Sequence, residues 1–189
     1  ETGEQYTLHS ADLFVNEVKD GVYLFDQDQA TIEFTGVTAQ PVASLLRNFS
    51  APVNLVFDYS DEDLAFLIQH ETNGFNQWQA TQTLLERILL EDHKVDAYIQ
   101  AIKNTLPELV QKDPLLASRL FDVPSENYLA SRIDQDYEPE LIREKREAVL
   151  NRLARDMGVF WLETYQNLDP DLQKEFSLAM GVRALKNIM

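Results

Sequence analysis

His70-Glu71, within the stretch QHETNGFNQWQATQ at residues 69–82, is the first half of a zinc-hydrolase signature. In H-E-x-x-H two histidines four residues apart share a helix face and hold the metal, while the glutamate acts on the metal-bound water. Here the fourth residue after His70 is Gly74, and the other histidines, His9 and His93, lie at no ligand spacing from it. His70 and Glu71 therefore read as ordinary residues near a helix C-terminus, with Asn73-Gly74 as its stop. Asp26-Gln27-Asp28 begins like a calcium loop, but Thr31 and Val37 stand where glycine and glutamate are needed, so a solvated turn is expected. Asp134, Asp136, Glu138 and Glu140 could be pictured as a cation site or as catalytic carboxylates. Pro139 opens a helix among them and nothing apolar surrounds them, which reads as an exposed linker. Phe160 and Trp161 after Gly158 could line a ligand groove, but aromatics following an amphipathic helix are more often core. Asn48-Phe49-Ser50 is a formal glycosylation sequon without a secretory leader. No nucleophile elbow, phosphate loop or dinucleotide fingerprint occurs. The residues thus assign no catalytic, cofactor-binding or metal-ligating position.

The elements that would have to position any chemistry fall into two textures. Residues 11–57 read as β: Leu13-Phe14-Val15, Val22-Tyr23-Leu24-Phe25 and Thr31-Ile32-Glu33-Phe34 are short β-branched and aromatic runs separated by turn residues. Val53, Leu55 and Phe57 alternate with other residues as a fourth, half-buried strand would. From Ser60 the pattern is helical. Ser60-Asp61-Glu62-Asp63 resembles a capping box before Leu64, Phe66, Leu67 and Ile68. Leu106-Pro107, Asp113-Pro114, Glu138-Pro139 and Asp169-Pro170 read as helix openings with proline first, and Ser125 after Pro124 as a further cap. The clearest helix covers about residues 140–157, with Ile142, Val149, Leu153 and Met157 on one face. The expected fold is mainly α with a small β domain. A partial immunoglobulin-like β-sandwich at 1–57 precedes an irregular ARM-like α-superhelix at 58–189.

Composition narrows the function classes. With 32 acidic against 16 basic side chains, the formal net charge of −16 repels phosphate backbones and anionic lipid. Nucleic acid and membrane are therefore not expected as partners. The absence of cysteine excludes disulfides and thiolate metal sites and agrees with a cytoplasmic location. The first residues carry no signal peptide and no initiator Met, and helical patterning continues to Met189, so both ends read as cut.

The stretch Gln40-Pro41-Val42-Ala43-Ser44-Leu45-Leu46-Arg47-Asn48-Phe49-Ser50-Ala51-Pro52-Val53 resembles the bacterial aminopeptidase N (alanyl aminopeptidase) family of zinc metallopeptidases. Tyr59 to Leu64 is similar to that family's acidic opening of its first C-terminal helix, and Asn73, Phe75, Trp78, Ala80 and Gln82 match a pattern N-x-F-x-R-W-x-A-x-Q. Gln77 and Gln79 depart from it at polar positions. The resemblance implies a parent enzyme that removes amino acids from peptide N-termini, with zinc and the H-E-x-x-H and G-A-M-E-N motifs in a catalytic domain that this chain lacks. It implies that this chain is a non-catalytic spacer and helical shell, which covers the active site and admits small peptides. Its partners would be the catalytic domain of the same polypeptide and peptide substrates, with no cofactor in the chain itself. Phe75 and Trp78, three apart on one helix face, are expected to pack into the helical core or against the β domain, where Trp78→Ala would cost on the order of 3–5 kcal/mol. A free-standing interaction module built on a helical solenoid is the alternative from another class. A hidden carboxylate-only metal site would need convergent acids that the spacing does not supply.

Overall fold

A computed structural model describes residues 16–19, 22–24, 28–29, 39–133, 138–169 and 175–189. Contacts divide the chain into two units, Glu1–Ala43 and Ser44–Met189. In the first, β1 (Asn16–Lys19) and β2 (Val22–Leu24) form an antiparallel hairpin, with Glu17 opposite Tyr23 and a bulge between Glu17 and Lys19. The sandwich expected over 1–57 is not seen among the described residues. The runs at Leu13–Val15 and Thr31–Phe34 lie outside them, as do His9, Asp26, Thr31 and Val37.

The expected strand at Val53–Phe57 is a correction. This segment has no regular structure, pairs with no strand among the described residues and is exposed, Val56 to 95%. Leu55, Phe57 and Tyr59 line a cavity of about 100 Å3 with Leu64, Leu67 and Ala80. An alternation of period two can thus belong to an exposed connection, without any ladder of hydrogen bonds.

In the second unit four of the described helices start at a side-chain cap. Helix α1 (Asp61–His70) opens with a reciprocal capping box: Ser60 Oγ accepts from the Asp63 N–H, and the Asp63 carboxylate accepts from the Ser60 N–H. Helix α2 (Gly74–Leu90) is N-capped by Asn73, whose Oδ1 accepts from the Asn76 N–H. Asn73-Gly74 therefore begins the second helix rather than only stopping the first. Helix α3 (Asp96–Lys112) runs straight through Pro107. The expected helix opening there does not occur. Tyr98, Ile99, Ile102 and Leu106 before the proline and Val110 after it are all buried on α3, and that continuous apolar stripe offsets the lost hydrogen bond.

Helices α4 (Pro114–Leu120) and α5 (Glu126–Ala130) start as expected, capped by Asp113 and Ser125. Tyr98 is fully buried, and its hydroxyl donates to the Leu120 carbonyl at 2.9 Å, which ties α3 to the end of α4. Helix α6 begins at Pro139 but continues through Gly158 to Asn167, ten residues beyond the expected end. Ile142, Val149, Leu153 and Met157 are buried along it as expected. Helix α7 (Phe176–Ile188) packs on α4 so closely that a Cβ on Gly181 would lie 2.7 Å from the Leu115 backbone nitrogen. Pro170 lies outside the described residues.

Candidate functional site

The end of α1 carries the feature that most resembled chemistry. Glu71 is the first residue after the helix, and its side chain is only 4% exposed. Its carboxylate accepts from the Ser44 hydroxyl, from the Arg47 guanidinium at 3.0 Å and from the Asn73 N–H at 2.6 Å. Burial pushes this carboxyl up, but the Ser44 and Asn73 hydrogen bonds and the Arg47 charge outweigh burial and hold it below the ordinary value. Glu71 is thus no ordinary helix-end residue.

Around this carboxylate the segment before α1 is bound to the α1–α2 turn. Arg47 also donates to Thr72 Oγ1 at 2.6 Å, Asn73 Nδ2 donates to Asn48 Oδ1 at 2.6 Å, and Asn76 Nδ2 donates to the Leu45 carbonyl at 2.7 Å. The Phe49 ring lies 3.9 Å from that of Phe75, which in turn lies 5.7 Å from that of Trp78. These bonds and contacts hold Leu46, Asn48 and Phe49 in the left-handed region, at φ 54, 57 and 54°. That conformation costs roughly 1–2 kcal/mol for a residue other than glycine, so several independent contacts must converge to hold it. The sequon Asn48-Phe49-Ser50 falls in this strained turn.

The arrangement is structural. A carboxylate engaged by three donors has little capacity left as a general base. His70 beside it is exposed and lies against the Phe66 ring, at 4.5 Å between centroids. His93 belongs elsewhere: its Nδ1 is 2.7 Å from Asp61, which also accepts from Arg87 at 3.1 Å. Burial raises the Asp61 carboxyl, and bonding from His93 and Arg87 brings it net below the ordinary value. Among the described residues no group of three or more His, Asp or Glu side chains could hold a metal ion, so the residues present do not fit a zinc site. No described helix is long and apolar enough to cross a membrane.

The remaining candidates are dispersed. Asp28 and Glu138 are exposed, and Glu140 pairs with Arg143 within α6; Asp134 and Asp136 lie outside the described residues. Phe160 and Trp161 are half-buried inside α6, with Trp161 edge-on to Phe121 at 4.3 Å. Phe75 and Trp78 are also half-buried rather than in the helical core, with Phe75 against Phe49 of the preceding segment, which lowers the expected cost of truncating them. Gln77, one of the departures from the expected pattern, is buried and donates to the Ile68 carbonyl at 2.6 Å. Gln82 donates to the Asp122 carbonyl. The pattern from Asn73 to Gln82 therefore spells a cap, an aromatic contact and two ties between segments. Sequence reading missed the Glu71–Ser44–Arg47 group. The available signal was Arg47, one of only two basic residues in the first 57.

The chain is a helical repeat protein: it belongs to the family described as "Domain of unknown function (DUF3458_C) ARM repeats", matched over residues 61–189. Residues 2–58 match a companion domain described as having an Ig-like fold (DUF3458). Beyond that class the chain is similar to particular enzymes. It is 35% identical over 178 residues to aminopeptidase N of Escherichia coli (strain K12), covering 85% of this chain and 19% of that protein. Against aminopeptidase N of Caulobacter vibrioides the identity is 32% over 182 residues, covering 88% and 20%. The crystal structure of Legionella pneumophila aminopeptidase A in complex with aspartic acid superposes with a TM-score of 0.65 at 27% identity, over 80% of this chain and 19% of that one. The chain thus spans about a fifth of the length of the curated relatives it matches.

Proposed function

We propose that this chain is the non-catalytic C-terminal part of a zinc-dependent aminopeptidase of the aminopeptidase N type, which removes N-terminal residues from peptides. Residues 1–57 act as an immunoglobulin-like spacer and 58–189 as the first portion of an ARM-like helical shell that restricts the active site to small peptides. Zinc and the catalytic motifs belong to another domain of the same polypeptide, located in the cytoplasm, and that domain and the peptide substrates are the partners. A shell of this kind excludes folded proteins by size and keeps bulk water from the reaction.

The observation that supports this reading is the similarity to aminopeptidase N over 85% of the chain, which reaches into both matched domains. The test is the surrounding reading frame and the chain's own chemistry. An H-E-x-x-H motif is expected some hundreds of residues upstream. The chain alone should hydrolyse no alanyl chromogenic substrate and purify without stoichiometric zinc; a zinc-loaded, active chain, or a reading frame without the motif, overturns the proposal. A second reading, a free-standing interaction module, is favoured by the exposed Val159, Leu162 and Phe176, and the same reading frame decides between them.

A further inference from the structure

A cleft with unspent positive charge lies where α3 meets α6. It has a volume of about 310 Å3 and is lined by Lys103 from α3 and by Arg155, Asp156, Met157, Gly158, Val159 and Phe160 from α6. Asp156 is engaged chiefly by Arg152, whose Nε donates to it at 2.7 Å while its NH2 reaches Asp96 at 2.9 Å. The other two cations are held loosely. Lys103 Nζ stands 3.9 Å from Asp156, and Arg155 touches Asp156 only through Nε at 3.5 Å, with its side chain 72% exposed. Its two terminal nitrogens have no partner among the described residues. Three cations against the two carboxylates Asp96 and Asp156 leave one net positive charge, in a protein whose net charge is −16. That balance suits a monoanion, because the overall field opposes a dianion more strongly.

Gly158, exposed on α6, is among the residues that line the cleft. Glycine inside a helix costs roughly 1 kcal/mol relative to alanine, and here no packing requires it: a Cβ would meet nothing within 4 Å. Its lack of a side chain leaves backbone open to close approach, beside the apolar Val159 and Phe160. The geometry points to a binding site for a small carboxylate with an apolar body, of which the free C-terminal residue of a short apolar peptide is the class. The carboxylate meets Arg155 and Lys103, and the side chain lies over Gly158 against Val159 and Phe160. The planar Arg155 fork suits a carboxylate in two-point contact. The inference rests on the cleft alone and stands or falls independently of the peptidase reading.

The test is NMR titration of the full 189-residue chain with N-acetyl-phenylalanine, following the amides of residues 155–160. Saturable shifts are expected, with the carboxylate binding about tenfold tighter than N-acetyl-phenylalanine amide, because a charge-assisted pair is lost in the amide. Arg155→Gln with Lys103→Gln should abolish that preference, and Gly158→Leu should block both ligands. All three positions are exposed, so circular dichroism should report an intact fold in each variant. Equal binding of acid and amide, equal effect of sodium acetate alone, or no shift at these amides would each overturn the proposal.

Discussion

Helix α2 buries seven of its 17 residues, six of them in adjacent pairs that recur every turn (Ala80-Thr81, Leu84-Leu85, Ile88-Leu89), whereas α6 buries five of its 29, singly. A paired stripe is wide enough to face neighbours on two sides, and α2 touches α1, α3, α4 and α6. The narrow stripe of Ile142, Val149, Leu153 and Met157 seats α6 against its neighbours and leaves most of its other residues exposed. Stripe width, not helix length, decides which element is a pillar and which is a surface. The surface element carries the proposed ligand cleft.

The comparison can be broken most directly by truncating each stripe. Leu84→Ala on α2, fully buried, should lower unfolding free energy by about 4 kcal/mol in urea titrations, and Leu153→Ala on α6 by about 2. Equal losses would mean that α6 is as central as α2. Glu71→Gln should cost about 2 kcal/mol at neutral pH, since it leaves Arg47 without its carboxylate. Its pH dependence is the sharper measurement. The folded carboxyl lies below the ordinary 4.5, so its stabilisation is present above that value and is lost as pH falls through the folded value. The wild-type chain should therefore lose more stability than the variant in that acid window.

Gly181→Ala should also cost about 2 kcal/mol, because its Cβ would press on the Leu115 backbone and force α7 from α4. Trp78→Ala should cost about 1–2 kcal/mol, below the core value, because the ring is only half-buried; a loss above 3 would restore the core reading. Gly158→Ala should do the opposite and stabilise by roughly 0.5–1 kcal/mol, read as a small rise in Tm. Two helical glycines with opposite outcomes would isolate packing from propensity.

Much of the helical framework was legible because its signals are local. Ser60, Asp113 and Ser125 each cap through a backbone N–H three residues ahead, and the buried positions of α6 repeat with the helical period. Asn73 caps in the same way, although in the sequence Asn73-Gly74 reads as a stop. The candidate sites were less legible. Glu71 looked idle because Ser44 and Arg47 stand 27 and 24 residues before it, and nothing in a linear pattern announces a bond across that separation. The cleft is equally hidden, since Lys103 and Arg155 are unremarkable surface cations until α3 and α6 meet.

By itself, then, the sequence determined where most helices begin, which faces they bury and that no metal-ligand spacing is present. Those properties depend on residues within about one helical turn of one another. Tertiary structure alone decided that Pro107 would be absorbed into α3, that Val53–Phe57 would run as an exposed connection unpaired among the described residues, and that Glu71 would hold the incoming segment. At Pro107 the competing local preference is worth about 3 kcal/mol, and burial of the α3 stripe outweighs it; at Glu71 the deciding partners are distant in sequence.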